Sequence, residues 1–159
     1  MSSILETRRQ LWPDEASCAA SAVALASRSA LFNALVELRG PLGAGKTTFV
    51  RHLLRALGVE GRVKSPTYAL MESYEIATPL GVLPVHHFDF YRFDDPQEWE
   101  DAGLRDVFAG PGLKLVEWPE KAEGLMPLPD LVLTIAIDDE DRRAATCAAY
   151  TAHGMELLP

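Results

Sequence analysis

The chain has 159 residues, which is the size of one ordinary domain. Its residues are 48% hydrophobic and 24% charged, close to the globular average, and this composition excludes a disordered or fibrous protein. The net charge of −8 argues against a protein that grips nucleic acid or anionic lipid over a broad surface, because such binding depends on Lys and Arg. We therefore expect residues 1–159 to form a single globular domain.

The cysteines and the amino-terminal segment indicate where the protein works. Cys18 and Cys147 are far apart and form no C-x-x-C pair, so neither a disulfide scaffold nor a zinc knuckle is expected. Residues 1–13 lack the apolar core of a secretory signal, and no stretch approaches the roughly 18 apolar residues that span a bilayer. These features predict a reduced, cytoplasmic protein that does not enter a membrane.

The first third of the chain predicts a strand between two helices. Pro13 and the acids after it are helix-start signals, and we predict a helix over residues 13–28. Residues 34–39 predict a short buried strand. Residues 46–57 carry apolar side chains at helical spacing, with Gly58 as the C-cap. The glycine-rich segment between this strand and the second helix cannot be regular structure.

The rest of the chain predicts mostly strands. Residues 63–91 contain two strands joined across residues 78–81, which predicts an antiparallel hairpin. Residues 95–98 (DPQE) predict the capped start of a short helix that stops near Gly103. Further strands are predicted over residues 112–117, 131–137 and 142–151. The acidic run at residues 138–141 is expected to be a solvated hairpin turn rather than a metal site.

A phosphate-binding loop is the clearest motif. Residues 40–47 (GPLGAGKT) match the pattern G-x-x-x-x-G-K-[ST] in full. Backbone N–H groups in a tight glycine turn converge on a phosphate chain, and the following helix adds its positive end. Lys46 supplies a cation for phosphate and Thr47 a hydroxyl for Mg²⁺. The residues of this loop predicted to bind nucleotide are Gly40, Gly43, Ala44, Gly45, Lys46, Thr47 and Thr48.

A magnesium–nucleotide site also needs an acid, often at the carboxyl end of a neighbouring strand. Asp89 and Glu117 both follow apolar strands and fit that position. Two other features stay open. The hydroxyls of residues 65–67 (SPT) suit either a contact to Mg²⁺ or the γ-phosphate, or a plain turn. Arg92 suits either phosphate or a pairing with the acids that follow it.

The histidines and tryptophans have less specific interpretations. His86 and His87 are adjacent, so in a strand they point to opposite faces and cannot both bind one metal. At least one of them is expected to be a packing residue. Trp99 and Trp118 are expected to be core or partner-facing aromatic residues rather than catalytic groups.

Four blocks occur in order at close spacing: residues 42–49 (LGAGKTTF), 63–68 (VKSPTY), 87–92 (HFDFYR) and 117–120 (EWPE). Together they resemble the TsaE (YjeE) family of bacterial P-loop ATPases, over roughly residues 38–130. With the predicted elements, the resemblance implies an α/β fold. This fold would be a P-loop NTPase-like three-layer sandwich, in which helices flank a mixed central β-sheet that includes an antiparallel hairpin.

The resemblance implies a role in tRNA modification. The family supports synthesis of threonylcarbamoyladenosine on tRNA, at the adenosine beside the anticodon. It works with TsaB and TsaD, which carry the transferase chemistry and much of the tRNA contact, so this chain is expected to meet tRNA indirectly. The family binds ATP and hydrolyses it slowly, and this turnover is thought to reset the complex.

The resemblance also implies residue roles. Lys46 and Thr47 would hold phosphate and Mg²⁺, and Glu117 would be a Mg²⁺ ligand. Asp89 would lie by the metal and orient the attacking water. Lys46, Asp89 and Glu117 are thus the expected catalytic residues, with ATP or ADP and Mg²⁺ as the cofactors.

Two further segments carry implied roles, and two positions depart from the family. Ser65 and Thr67 would belong to a switch-like loop, and Trp118 would be a neighbour of the site. The family commonly has Asp where this chain has Pro41, and a hydroxyl residue where it has Ala69. Pro41 removes an acid and a backbone N–H from the loop, so nucleotide affinity or turnover is expected to be altered.

No arginine finger is obvious in the sequence, which predicts weak hydrolysis by the chain alone and stimulation by partners.

Two alternatives compete with this interpretation. The first is a small P-loop kinase for a metabolite or nucleoside, which would need a lid, and residues 138–143 are the candidate for it. The second is a binding module that uses ATP only as a conformational ligand.

Overall fold

A seven-stranded mixed β-sheet forms the middle of the protein in a computed structural model, which describes residues 3–66 and 68–159. Its strands are β1 (Glu6–Trp12), β2 (Leu35–Arg39), β3 (Met71–Thr78), β4 (Gly81–Asp89), β5 (Leu113–Glu117), β6 (Leu131–Ile137) and β7 (Arg143–Ala149). They lie in the order β1-β7-β6-β2-β5-β4-β3. The inner strands β6, β2, β5 and β4 run parallel, and the pairs at both edges are antiparallel.

Helices cover both faces of this sheet. They are α1 (Glu15–Ala26), α2 (Lys46–Leu57), α3 (Pro96–Asp101), α4 (Leu104–Ala109) and α5 (Ala152–Met155), with 3₁₀ turns at Ser29–Asn33 and Pro119–Ala122. Side chains of α1 and α2 share one hydrophobic cluster with one face of the sheet, and those of α3 and α4 share a second cluster with the other face. The predicted α/β fold, a three-layer sandwich with a mixed sheet and a hairpin, is confirmed.

The apolar stripe of α2 closes the first face. Phe49, Val50, Leu53 and Leu54 recur at helical spacing and are all buried. Trp12 of β1 stacks on Phe49, with 5.6 Å between ring centroids. This packing holds the start of α2, and therefore the loop that precedes it, against the sheet.

An aromatic cluster closes the opposite face. Phe88 of β4 stacks on Phe108 of α4 with centroids 4.5 Å apart, and Phe108 stacks on Trp99 of α3 at 5.2 Å. Asp95 and Glu98 form the predicted capping box at the start of α3. Trp99 is therefore a core residue, which is one of the two roles expected for it.

Several elements differ from the sequence prediction. The sequence does not predict β1, because this edge strand leaves most of its polar side chains exposed and has no alternating apolar pattern. It does not predict the short helices α4 and α5 either. β3 begins only at Met71, so residues 63–66 are irregular. The Asp14 side chain accepts the Ser17 N–H at 2.9 Å and caps α1, so Pro13 lies before the helix rather than inside it.

The acidic run forms the expected turn between β6 and β7. The Asp138 carboxylate accepts the backbone N–H groups of Glu140 and Arg142, both at 2.9 Å. The two cysteines are buried free thiols, and burial raises the pKa of each to about 11. In the part of the chain that the structure describes, no helix is long and apolar enough to cross a membrane.

Gly112 brings β5 against β4. Its φ of +103° lies in the left-handed region, and a Cβ atom there would overlap the backbone carbonyl of Pro84 in β4. The chain therefore enters β5 in close contact with β4, and these two strands end on the paired residues Asp89 and Glu117.

Replacing Gly112 with Ala is therefore expected to lower the free energy of unfolding by about 2–5 kcal/mol, because backbone strain and a steric overlap add. Gly124→Ala is the matched control. Its φ is +86° but nothing lies within 4 Å of its Cβ position, so only the strain of about 1–2 kcal/mol is expected. Urea unfolding measures both variants. Equal losses of unfolding free energy would show that the contact with β4 adds no cost beyond the backbone strain.

Candidate nucleotide-binding site

The parallel strands bring the predicted site residues to one edge of the sheet. The phosphate loop follows β2, while Asp89 and Glu117 end β4 and β5 and are paired in their register. Because the carboxyl ends of parallel strands meet at one edge, these groups surround a single cleft of about 340 Å³. Of the predicted residues, the cleft is lined by Gly43, Gly45, Lys46, Thr47, Thr48, Ser65, Asp89, Glu117 and Trp118.

The loop itself has the predicted glycine conformations. Gly40, Gly43 and Gly45 all have positive φ. A Cβ on Gly40 would lie 2.5 Å from the Ile135 carbonyl oxygen, so the loop leaves the sheet in contact with β6. Cβ atoms on Gly43 and Gly45 would meet nothing within 4 Å, so there is open space beside these two residues. The loop is thus a backbone cradle beside open space.

The cradle leads into the amino terminus of α2. Gly45 is its N-cap and provides no side-chain capping bond. The first-turn N–H groups of an α-helix have no intrahelical partners, and they carry its partial positive charge. Those of Lys46, Thr47 and Thr48 therefore lie at the cleft, where an anion can accept them.

Glu117 is the centre of the site. Its side chain is 2% exposed. One carboxylate oxygen accepts a hydrogen bond from the Thr47 hydroxyl at 2.8 Å, and the other accepts one from His87 Nε2 at 2.6 Å. The carboxylate thereby links β5 to both α2 and β4, and each of its oxygens has a defined partner.

His87 is fully buried and has a specific role that the sequence did not reveal. A carboxylate only accepts hydrogen bonds, so the bond to Glu117 places the imidazole proton on Nε2. Within the described residues, its buried Nδ1 has no hydrogen-bond partner. His86 points the other way and meets Ser73, so the predicted opposite orientation of the two histidines is found.

Lys46 lies folded back over the loop. Its ammonium group donates to the Gly40 carbonyl and sits 3.6 Å from the centre of the Trp118 ring. Burial lowers the pKa of Lys46, and the carboxylates of Glu117, Glu120 and Asp89 act in the opposite direction. The lysine is a cation surrounded by acids, in reach of the cleft.

Aromatic and basic side chains form the rim of the cleft. Trp118 has a φ of +56°, a strained conformation for a residue with a side chain, and it contacts Tyr91 at 5.0 Å between centroids. Arg92 lines the cleft, donates to the Tyr68 hydroxyl at 3.3 Å and stacks on that ring. Trp118 is therefore a neighbour of the site, and Arg92 faces the cleft.

The remaining predicted residues that the structure describes are Asp89, Ser65 and Ala44. Asp89 is buried, and its Oδ1 accepts the Tyr91 N–H at 2.9 Å. Ser65 is exposed at the cleft, while Thr67 lies outside the described residues. Ala44 is buried within the loop, and its N–H donates to the Pro41 carbonyl at 3.0 Å. The loop therefore keeps a tight turn with proline at this position.

Comparisons with known proteins decide the family. Residues 12–145 match the family described as threonylcarbamoyl adenosine biosynthesis protein TsaE. The chain belongs to the TsaE family. Over 124 residues it is 43% identical to the tRNA threonylcarbamoyladenosine biosynthesis protein TsaE of Haemophilus influenzae, a match covering 78% of this chain and 75% of that protein.

Further relatives agree with this TsaE assignment. The protein of the same name from Bacillus subtilis is 40% identical over 115 residues, covering 72% of this chain and 69% of that one. The fold is similar to the crystal structure of YdiB from Bacillus subtilis, with a TM-score of 0.77 and 28% identity over 98% of this chain and 94% of that chain. The family name places TsaE proteins in the biosynthesis of threonylcarbamoyladenosine on tRNA.

The His87–Glu117 bond generates a test of the site's construction. His87→Leu is expected to lower the free energy of unfolding by about 1–3 kcal/mol or more, because it removes the donor from a buried carboxylate oxygen. His86→Leu is the control and should change stability by less than about 0.5 kcal/mol. Urea denaturation measures both variants.

The same substitution in a Glu117→Leu background separates the hydrogen bond from packing. Removing His87 there should cost less, since the carboxylate that needed it is gone. An equal cost in both backgrounds would mean that His87 contributes only its volume to the core.

Proposed function

We propose that this chain binds ATP with Mg²⁺ and hydrolyses it slowly, as the ATPase subunit for threonylcarbamoyladenosine modification of tRNA. It acts with TsaB and TsaD, and its turnover resets their complex. The observation that carries the proposal is the hydrogen bond between Thr47 and Glu117, which joins the phosphate loop to a buried acid. A phosphate loop alone supports nucleotide binding, whereas a loop paired with such an acid supports metal-assisted hydrolysis.

The Thr47–Glu117 pair fits magnesium. Their oxygens are 2.8 Å apart. Neighbouring ligand oxygens around an octahedral Mg²⁺ are about 2.9 Å apart, given its bond lengths. Among the described residues, no group of three His, Cys, Asp or Glu side chains could hold a metal. A cation held by Thr47, Glu117 and phosphate oxygens agrees with this, since Mg²⁺ commonly uses one or two protein ligands and the substrate's phosphates.

Two spaces beside the loop fit the two parts of ATP. The cleft holds Lys46, Thr47 and Glu117 and suits the β- and γ-phosphates. A second pocket of about 220 Å³ shares Gly43, Gly45 and Thr48 with it. This pocket, which Trp12 also lines, suits the nucleoside, so Thr48 would lie near the α-phosphate.

Hydrolysis in this arrangement depends on position and charge. The loop N–H groups and the Lys46 ammonium stabilise negative charge on the phosphate oxygens, and the ammonium leaves the Gly40 carbonyl to do so. Bound Mg²⁺ would neutralise further charge on the β- and γ-phosphate oxygens. Asp89, oriented by the Tyr91 N–H and adjacent to Glu117, orients the attacking water.

The surroundings of the site support slow turnover and dependence on partners. Lys46 is engaged by the Gly40 carbonyl and Trp118, and Arg92 is engaged by Tyr68, so both cations must move to meet phosphate. Partners that cover the cleft would favour that movement. The net charge of −8 supports tRNA contact through TsaB and TsaD rather than directly, and the proposed location is the cytoplasm.

Two variants separate binding from hydrolysis. Lys46→Ala is expected to weaken ATP binding at least about tenfold, because a charge-assisted contact to phosphate is lost. Glu117→Gln should keep ATP affinity within a few-fold but lower turnover by about 100-fold, because the metal loses its anionic ligand. Calorimetric titration and steady-state phosphate release measure these, with Lys121→Ala and Glu123→Gln as exposed controls.

The same assays with and without TsaB, TsaD and tRNA test the wider role. Stimulation of wild-type turnover by the partners, and loss of tRNA modification in Glu117→Gln, are expected. Modification that survives in Glu117→Gln would make ATP only a conformational ligand. A phosphorylated metabolite, formed at a rate that the partners leave unchanged, would favour a kinase instead.

A further inference from the structure

Arg143 lies against the phosphate loop from the side of the second pocket. It is the first residue of β7 and pairs in register with Trp12 of β1, whose ring stacks on Phe49 of α2. The arginine therefore belongs to a strand pair that is packed against α2, the helix that follows the loop. Neither the family motifs nor the proposed chemistry uses this residue.

The guanidinium group contacts two successive loop carbonyls. Nε donates to the Ala44 oxygen and one Nη donates to the Gly43 oxygen, both at 3.3 Å. The other Nη donates to the Asp141 carbonyl at 2.6 Å and lies 3.3 Å from the Asp141 carboxylate. The planar guanidinium group makes all of these bonds at once, and its bonds to Asp141 hold it in this position.

These contacts fix the orientation of two peptide groups. The C=O and N–H of a trans peptide point in opposite directions. A Gly43 carbonyl directed at Arg143 keeps the Ala44 N–H on the Pro41 carbonyl, which closes the turn. An Ala44 carbonyl directed at Arg143 turns the N–H of Gly45, a residue that lines the cleft, away from the arginine.

We propose that Arg143 is a positioning residue of the phosphate loop, which holds the Gly43 and Ala44 carbonyls outward so that the turn stays closed and the Gly45 N–H faces the phosphate chain. Glycines at positions 43 and 45 leave these peptide planes free to rotate, so an external brace limits alternative orientations. The inference rests on the proposed function, since it assumes that the loop binds a nucleotide's phosphates.

The experiment compares ATP with inorganic tripolyphosphate, which carries phosphates and no nucleoside. Arg143→Ala is expected to weaken calorimetric binding of both ligands by the same factor, about tenfold, because two hydrogen bonds that orient the loop are lost. Arg143→Lys should recover little of this loss, since a lysine cannot bridge both carbonyls. Melting curves of the unliganded variants check that each is folded at the titration temperature.

Arg142→Ala is the matched control. Arg142 has the same charge and belongs to the same turn, but it pairs with Asp138 and Glu140. Its loss should change both affinities by less than about twofold, as for other exposed ion pairs.

Three results would overturn the inference. A loss for ATP with tripolyphosphate unchanged would make Arg143 a nucleoside contact. Full recovery of affinity in Arg143→Lys would show that Arg143 acts only through its charge. Unchanged affinity in Arg143→Ala would show that it does not orient the loop. If the wild-type chain binds neither ligand, the proposed function fails first, and this result is distinct from all three.

Discussion

The site depends on the hydrogen bonds of the buried Glu117 carboxylate. Glu117 ends β5, and its carboxylate accepts one hydrogen bond from the Thr47 hydroxyl of α2 and one from the His87 ring of β4. Each of these contacts comes from a different element, and each element meets the carboxylate only because the sheet order places β2, β5 and β4 side by side. The fold therefore delivers its acid to the phosphate loop in one orientation, with one oxygen held by histidine and the other beside the threonine.

This arrangement has an energetic cost that the rest of the fold offsets. Burying charged groups costs several kcal/mol per ion unless they are paired and hydrogen-bonded. Lys46, Asp89 and Glu117 are all buried at the same edge of the sheet. Their mutual attraction and their bonds to backbone and side-chain partners reduce the cost. The close packing of Phe49 on Trp12 and the aromatic cluster around Phe108 stabilise both faces of the sheet beneath them.

Local patterns were enough to predict much of the fold and the site. The loop between β2 and α2, the capping box of α3 and the β3–β4 hairpin are each encoded by residues close together in the chain. Local patterns do not predict β1, because an exposed edge strand needs no apolar alternation and its partner β7 lies at the other end of the sequence.

The contacts of His87 and Arg143 could not be predicted in the same way. His87 looks like any buried strand residue until β4 and β5 are aligned and its ring reaches Glu117. Arg143 bonds to backbone carbonyls, which carry no side-chain signature, in a loop distant along the chain. Both depend on strand pairing across the whole sheet, and pairing of this kind is not written in local spacing.

A crystal structure of the chain with Mg²⁺ and a non-hydrolysable ATP analogue tests the central claim most directly. The account predicts Mg²⁺ bound to Thr47 Oγ1 and the Glu117 carboxylate, His87 still bonded to the other Glu117 oxygen, and Lys46 moved from the Gly40 carbonyl to phosphate. Metal bound away from Glu117, or phosphates bound outside the loop of residues 40–47, would contradict it.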